Sequence, residues 1–248
     1  MKYFIGNWKM NTTVTEAVAL AGRLEDGLQD QLPASQSEQW PEIIICPPFL
    51  SLSPVSDILD NRFLQLGAQD AHWADNGAHT GDISATMLKG IVQYVLIGHS
   101  ERRKAGENEE TIARKLAAVV RAGLTPILCV GEEDPNDIAT DEAVDQLQDD
   151  LADIEPTKLN KLIVAYEPVW AVNGEIAADA QHIGEVVAHL KDGLDEIGVT
   201  TPTVIYGGAV TPDNATTFLD VPNLDGLLIG RASLDAQAFL SIVKTVTP

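Results

Sequence analysis

Short, almost continuously apolar runs alternate along this chain with longer stretches whose apolar residues recur every third or fourth position. The runs are Tyr3–Asn7, Ile43–Cys46, Leu64–Ala68, Tyr94–Gly98, Thr125–Val130, Leu162–Glu167, Thr203–Gly207 and Gly226–Ile229. Apolar residues on both faces of a short run predict parallel strands covered on both sides. Helical patterns fill the intervals: Glu16–Gln29, Pro54–Leu59, Ile83–Lys89, Glu109–Ala122, Glu142–Asp153, Gln181–Ile197, Pro212–Phe218 and Asp235–Val243. Within the fourth of these, Ile112, Leu116, Val119 and Val120 share one face. Thr211 before Pro212 and Asp213 predicts a cap with proline in the first turn. Strict alternation of strand and helix implies a parallel sheet, and eight such units close into a barrel. The expected fold is α/β: a (βα)8 barrel, eight parallel strands surrounded by helices, as one domain over residues 1–248 without linker or low-complexity tract. One connection, Gln69–Asp82, is long, polar and aperiodic, and ordered loops of that kind are usually functional.

Charge and cysteine content narrow the partners. Sixteen basic against 37 acidic residues leave a formal net charge of −21. That argues against nucleic acid and anionic membranes, and it requires an anionic ligand to be held by local donors against the overall field. A well-solvated surface explains the acidity, with adaptation to a salty interior as the alternative. Cys46 and Cys129 lie in apolar runs, which predicts buried thiols and no metal or disulfide framework. Tyr3-Phe4-Ile5 is too short for a signal-peptide core and no apolar run reaches membrane-span length, so the chain reads as cytoplasmic.

Several polar residues stand where the apolar runs end. Glu167 closes the sixth run just before Pro168, which cannot continue a strand's hydrogen bonding. A carboxylate at the carboxyl end of a parallel strand is placed where ligands bind, and it suits proton abstraction. Lys9 follows the first run and His99 the fourth. Each alone is ordinarily a solvated or structural residue. Gly207-Gly208 and Gly230 follow the seventh and eighth runs, where glycine backbone beside a helix start can approach a phosphate closely.

Taken together these elements carry more. Asn7-Trp8-Lys9, Gly77-Ala78-His79-Thr80-Gly81, Gly98-His99-Ser100-Glu101-Arg102-Arg103, Pro126 through Glu132, Ala165-Tyr166-Glu167-Pro168-Val169-Trp170-Ala171 and Tyr206-Gly207-Gly208 occur in order over essentially the whole chain. In that order they closely resemble the triosephosphate isomerase family. The resemblance implies a catalytic TIM barrel that interconverts dihydroxyacetone phosphate and D-glyceraldehyde 3-phosphate in glycolysis and gluconeogenesis. Glu167 would move the carbon-bound proton, and His99, Lys9 and Asn7 would stabilise the enediolate. The helical turn begun by Ser100-Glu101-Arg102 is expected to lower the pKa of His99 and keep it neutral. Glu101 would hold Lys9. No metal or organic cofactor is needed, because no electron leaves the substrate. Residues Pro168, Val169, Trp170, Ala171, Val172, Asn173, Gly174 and Glu175 would form a lid. Gly208, Ala209, Gly230, Arg231 and Asn173 would bind substrate beside Asn7 and Lys9. Thr80, in the long third loop, would contact the second subunit of a homodimer.

The chain departs from the family pattern at the phosphate end. Asn173 stands in place of a glycine, Glu175 adds a negative charge, Ala209 replaces a serine, and Arg231 replaces a second glycine after Gly230. Two alternatives therefore stay open: a sister isomerase of a longer phosphorylated ketose such as a tetrulose phosphate, and a non-catalytic phosphometabolite-binding barrel.

Overall fold

The computed structural model describes residues 1–31, 40–134, 139–172 and 178–246. Each apolar run forms a strand: β1 Tyr3–Asn7, β2 Glu42–Cys46, β3 Gln65–Ala68, β4 Tyr94–Ile97, β5 Thr125–Val130, β6 Ile163–Tyr166, β7 Thr203–Tyr206 and β8 Gly226–Ile229. All neighbours pair in parallel, and β8 returns to β1 with Tyr3 opposite Gly226, so the sheet closes into a barrel in sequence order. Gly98, Glu167 and Gly207 lie one residue past their strands. Even so, the Glu167 N–H still bonds Val130 O at 2.8 Å and the Gly207 N–H bonds Tyr166 O at 2.8 Å, continuing the ladder to the rim.

Strand side chains alternate between two cores. Ile5, Ile44, Cys46, Leu96, Ile127, Cys129, Ile163, Ala165, Ile205 and Leu228 fill the barrel interior. Phe4, Ile43, Ile45, Leu128, Val164, Tyr166 and Tyr206 point outward and pack under the helices. A period of two makes Asn7, Glu167 and Gly207 the next inward positions above Ile5, Ala165 and Ile205. This places polar groups on top of an apolar plug, at the carboxyl-end face.

The outer layer comprises α1 Val14–Gln31, α2 Phe49–Ser56, α3 Ala85–Leu88, α4 Ser100–Lys104, α5 Glu109–Ala122, α6 Ala139–Leu151, α7 Val169–Val172, α8 Ala180–Ile197, α9 Ala215–Leu219 and α10 Ala236–Val243. Side-chain N-caps start several of them: Ser84, Asn108, Asp179 and Asp235 each accept a backbone N–H from the first turn. Two expectations need correction. The helix expected over Pro54–Leu59 is α2, which begins at Phe49 and holds Pro54 inside. The carbonyl left without a partner by Pro54 belongs to Leu50, which is 83% exposed, so the proline is tolerated. The helix expected from Pro212 begins instead at Ala215. Asn214 reaches back to accept the Thr211 N–H at 2.7 Å and donates to Ala209 O at 2.9 Å, which holds residues 211–214 as a turn. Among the described residues no helix is long and apolar enough to cross a membrane.

Candidate active site

The carboxyl-end mouth of the barrel holds a cavity of about 400 Å³. Asn7, Lys9, His99, Glu101, Glu167, Gly208, Ala209, Gly230 and Arg231 all line it, brought together from five separate parts of the sequence. Val172 also lines it, whereas Pro168, Val169, Trp170 and Ala171 do not. Asn173, Gly174 and Glu175 lie outside the described residues. Thr80 is exposed on the Gln69–Asp82 loop and does not reach this cavity.

Lys9 is held by three elements. Its backbone is left-handed, with φ of 54°, and its N–H bonds Asn7 Oδ1 at 3.0 Å. Gln69 Nε2 donates to Lys9 O and to Cys46 O, each at 2.8 Å, tying the third loop to the first strand. The Nζ ammonium meets Glu101 Oε1 at 2.8 Å.

His99 sits where the chain turns sharply at Gly98, whose φ is 71°; a Cβ there would come within 3.2 Å of Cys129 O. The His99 ring caps α4, with Nδ1 accepting the Glu101 N–H at 3.1 Å. A ring nitrogen that accepts leaves the proton on the other, so Nε2 is the donor of the neutral ring. That Nε2 lies 3.1 Å from Glu167 Oε1, and Glu167 Oε2 accepts the Ser100 N–H at 3.2 Å.

These contacts decide the electrostatics. Burial alone would raise the Glu167 carboxyl, but the facing His99 ring, the Ser100 N–H and the Lys9 charge hold it below its ordinary value. For His99, burial acts to lower the pKa and the Glu167 carboxylate outweighs it, so the imidazole lies above its ordinary value. The lowering expected from the α4 turn is thus reversed in this arrangement, because the carboxylate rests directly on Nε2. Without that carboxylate beside it, the ring keeps burial and the Lys9 charge as its lowering influences.

Glu167 is seated by residues to which the sequence assigned no role toward it. A Cβ on Gly131 would lie 2.0 Å from Glu167 O, and one on Gly207 would lie 3.0 Å from Glu167 Cγ. Both glycines therefore make room for the carboxylate-bearing residue. Glu132, fully buried, accepts from Tyr166 Oη–H and Trp170 Nε1–H, each at 2.8 Å on Oε1. Its carbonyl also accepts the Val169 N–H at 2.9 Å. One side chain thus clamps the chain on both sides of Glu167. The period-two alternation could have pointed to Gly207, while Gly131, Glu132 and Gln69 act through contacts distant in sequence.

A closed parallel barrel with a carboxylate, an imidazole and an ammonium over one cavity at its carboxyl-end face defines an acid–base enzyme of the TIM-barrel class. The sequence profile of the triosephosphate isomerase family matches residues 2–246, and the chain belongs to that family. A triosephosphate isomerase of Dehalococcoides mccartyi (strain CBDB1) is 40% identical over 245 residues, covering 96% of this chain and 94% of the relative. One of Picosynechococcus sp. (strain ATCC 27264 / PCC 7002 / PR-6) is 42% identical over 247 residues, covering 97% of each.

Proposed function

We propose that this chain interconverts dihydroxyacetone phosphate and D-glyceraldehyde 3-phosphate by enediolate-mediated proton transfer, a step of glycolysis and gluconeogenesis. The observation that carries the reading is the meeting of the Glu167 carboxylate and the His99 Nε2–H, 3.1 Å apart, in a cavity that also admits Lys9 Nζ. Glu167 takes the proton from the carbon beside the carbonyl and returns it to the neighbouring carbon. The His99 Nε2–H donates to the oxygen on which charge develops, with Lys9 supplying a fixed positive charge and Asn7 a neutral donor. Because Nε2–H is engaged with Glu167, a bound substrate oxygen must take that contact over and free the carboxylate for the carbon. Glu101 holds Lys9 in place.

The phosphate belongs at the opposite wall, against the backbone of Gly208, Ala209 and Gly230. Arg231 lines the same wall, exposed and without a carboxylate partner among the described residues. Asn173 and the remaining lid residues complete the enclosure in this reading. The oxidation levels of the two carbons exchange within the substrate and no electron leaves it, so the reaction calls for no cofactor. We take residues 1–248 as one catalytic domain working in the cytoplasm as a homodimer. Thr80 on its exposed loop supports the dimer, as do the large apolar side chains of Met10 and Leu50, 97% and 83% exposed.

A coupled assay of the purified chain on both triose phosphates tests this. Turnover in wild type that falls at least about a thousandfold in Glu167→Gln, with the fold retained, is the expected result. Undiminished turnover in that variant, in a preparation free of host enzyme, defeats the assignment.

A further inference from the structure

The Glu132 clamp has a member on α8. His182 places Nε2 2.9 Å from Tyr166 Oη and 3.3 Å from Glu132 Oε1, with its ring edge-on to Trp170 at 5.9 Å. Tyr166 has one hydroxyl proton, and that is directed at Glu132 Oε1. Toward His182 the hydroxyl can therefore only accept, so Nε2 carries a hydrogen. Three donors then converge on Oε1, while the buried Oε2 has no partner among the described residues. Among those residues, His182 is the sole basic side chain within ion-pair distance of this fully buried carboxylate.

The other ionisable groups nearby offer Glu132 no cation. Asp179 caps α8 by accepting the backbone N–H of His182 at 2.9 Å. Glu185, one turn further along, is bonded to Gln181. Tyr206 stands behind Tyr166, ring to ring at 6.2 Å. Among the described residues, His182 alone stands where it can bring a positive charge to the clamp.

We propose that His182 is a positioning residue for Glu167, acting through Glu132 on the Tyr166–Trp170 segment and making the tightness of that clamp depend on the charge of its imidazole. The neutral ring's Nε2–H bonds the Tyr166 oxygen and keeps that hydroxyl turned to Glu132 Oε1, a hold that His182→Ala removes. Donors that share one acceptor oxygen also compete for it. A second proton on His182 strengthens its own bond to Oε1 and weakens the Trp170 bond. The segment carrying Glu167 is thus held most firmly by the neutral ring. The catalytic part of this inference rests on Glu167 being the base.

The test follows the indole N–H resonance of Trp170, assigned through Trp170→Phe, in the full chain from about pH 8 to 5.5. The same samples are assayed for kcat and KM in wild type, His182→Ala and His182→Gln. Alanine suits a helix and glutamine keeps a donor without the charge, so neither should unfold the chain. The indole proton of wild type should move upfield as pH falls, and that movement should vanish in both variants. At pH 8, kcat of His182→Ala should drop about three- to tenfold with KM within about twofold, and His182→Gln should restore most of it. An indole titration that persists in His182→Gln overturns the proposal. So does a normal kcat in His182→Ala, and so does equal impairment of both variants, which would mark a packing role alone. The resonance is read without turnover, so a wild-type chain inactive on triose phosphates would sink the proposed reaction while the indole still judged the His182 link.

Discussion

Two acidic residues in this molecule are almost equally hidden and behave in opposite ways. Glu167 at the barrel mouth is 2% exposed and Glu25 on α1 is 6% exposed. Glu167 is held below its ordinary pKa, whereas Glu25 is pushed up to about 8 by burial and by its neighbours Asp60 and Asp26. Around Glu167 stand an imidazole, a backbone N–H and an ammonium. Glu25 has only the Asp60 backbone N–H acting to lower it; its side-chain neighbour is the Asp60 carboxylate, with which it can bond only by keeping its own proton. Depth sets the cost of a charge, and the groups facing it decide whether that cost is met.

The sharpest way to break the comparison is to neutralise each residue. Against the thousandfold loss expected for Glu167→Gln, Glu25→Gln should leave kcat/KM within about twofold, measured in the same coupled assay. Next in size is His99→Gln. It should lower turnover about a hundredfold, and the acid limb of its kcat/KM profile should shift to higher pH, because the largest influence lowering Glu167 is gone. An acid limb that stays in place would show that Ser100 and Lys9 suffice.

A smaller effect probes how far the cationic character of the mouth extends. Arg231→Gly should raise KM several-fold, in keeping with one charge-assisted contact, and adding Ala209→Ser should partly restore binding. A KM that is unchanged or lower would make Arg231 a tolerated surface residue.

The smallest effect is one of stability. Glu25, with its raised folded value, contributes most below the ordinary carboxylate range, and that contribution is lost as pH climbs through about 8. Glu167, with its lowered value, contributes above the ordinary range and loses this as pH falls through its folded value. Glu25→Gln should therefore raise the melting temperature at pH 8 and flatten its decline from about pH 4.5 upward, by roughly 2–4 °C for each kcal/mol regained. A thermal scan of both proteins at three pH values checks it.

The barrel was legible because buried strands leave a local trace. Ile43-Ile44-Ile45-Cys46 and Ile163-Val164-Ala165-Tyr166 are apolar on both faces because one face meets the barrel interior and the other the helices. The mouth was legible as residue types at the ends of those runs: Asn7, Lys9, His99 and Glu167 all line the cavity. Relations across the barrel were not. The α4 turn is local to His99, while the ring's pKa answers to Glu167, which arrives from β6. Gln69 and Gly131 matter for what lies opposite them, and nothing adjacent in sequence records that. Helix starts differ at Pro54, which lies inside α2, and at Pro212, whose proline marks a turn before α9 in place of a first helical turn.

The left-handed backbone of Lys9 has a consequence for the history and engineering of this chain. A non-glycine residue at φ of 54° carries about 1–2 kcal/mol of local strain that glycine would release. Lys9→Gly should thus melt later while losing the ammonium that faces the cavity. Selection for heat endurance alone would fix that substitution, and selection for turnover would purge it. At this one position durability and activity pull in opposite directions, so a library screened only for thermal survival should accumulate folded, inert barrels.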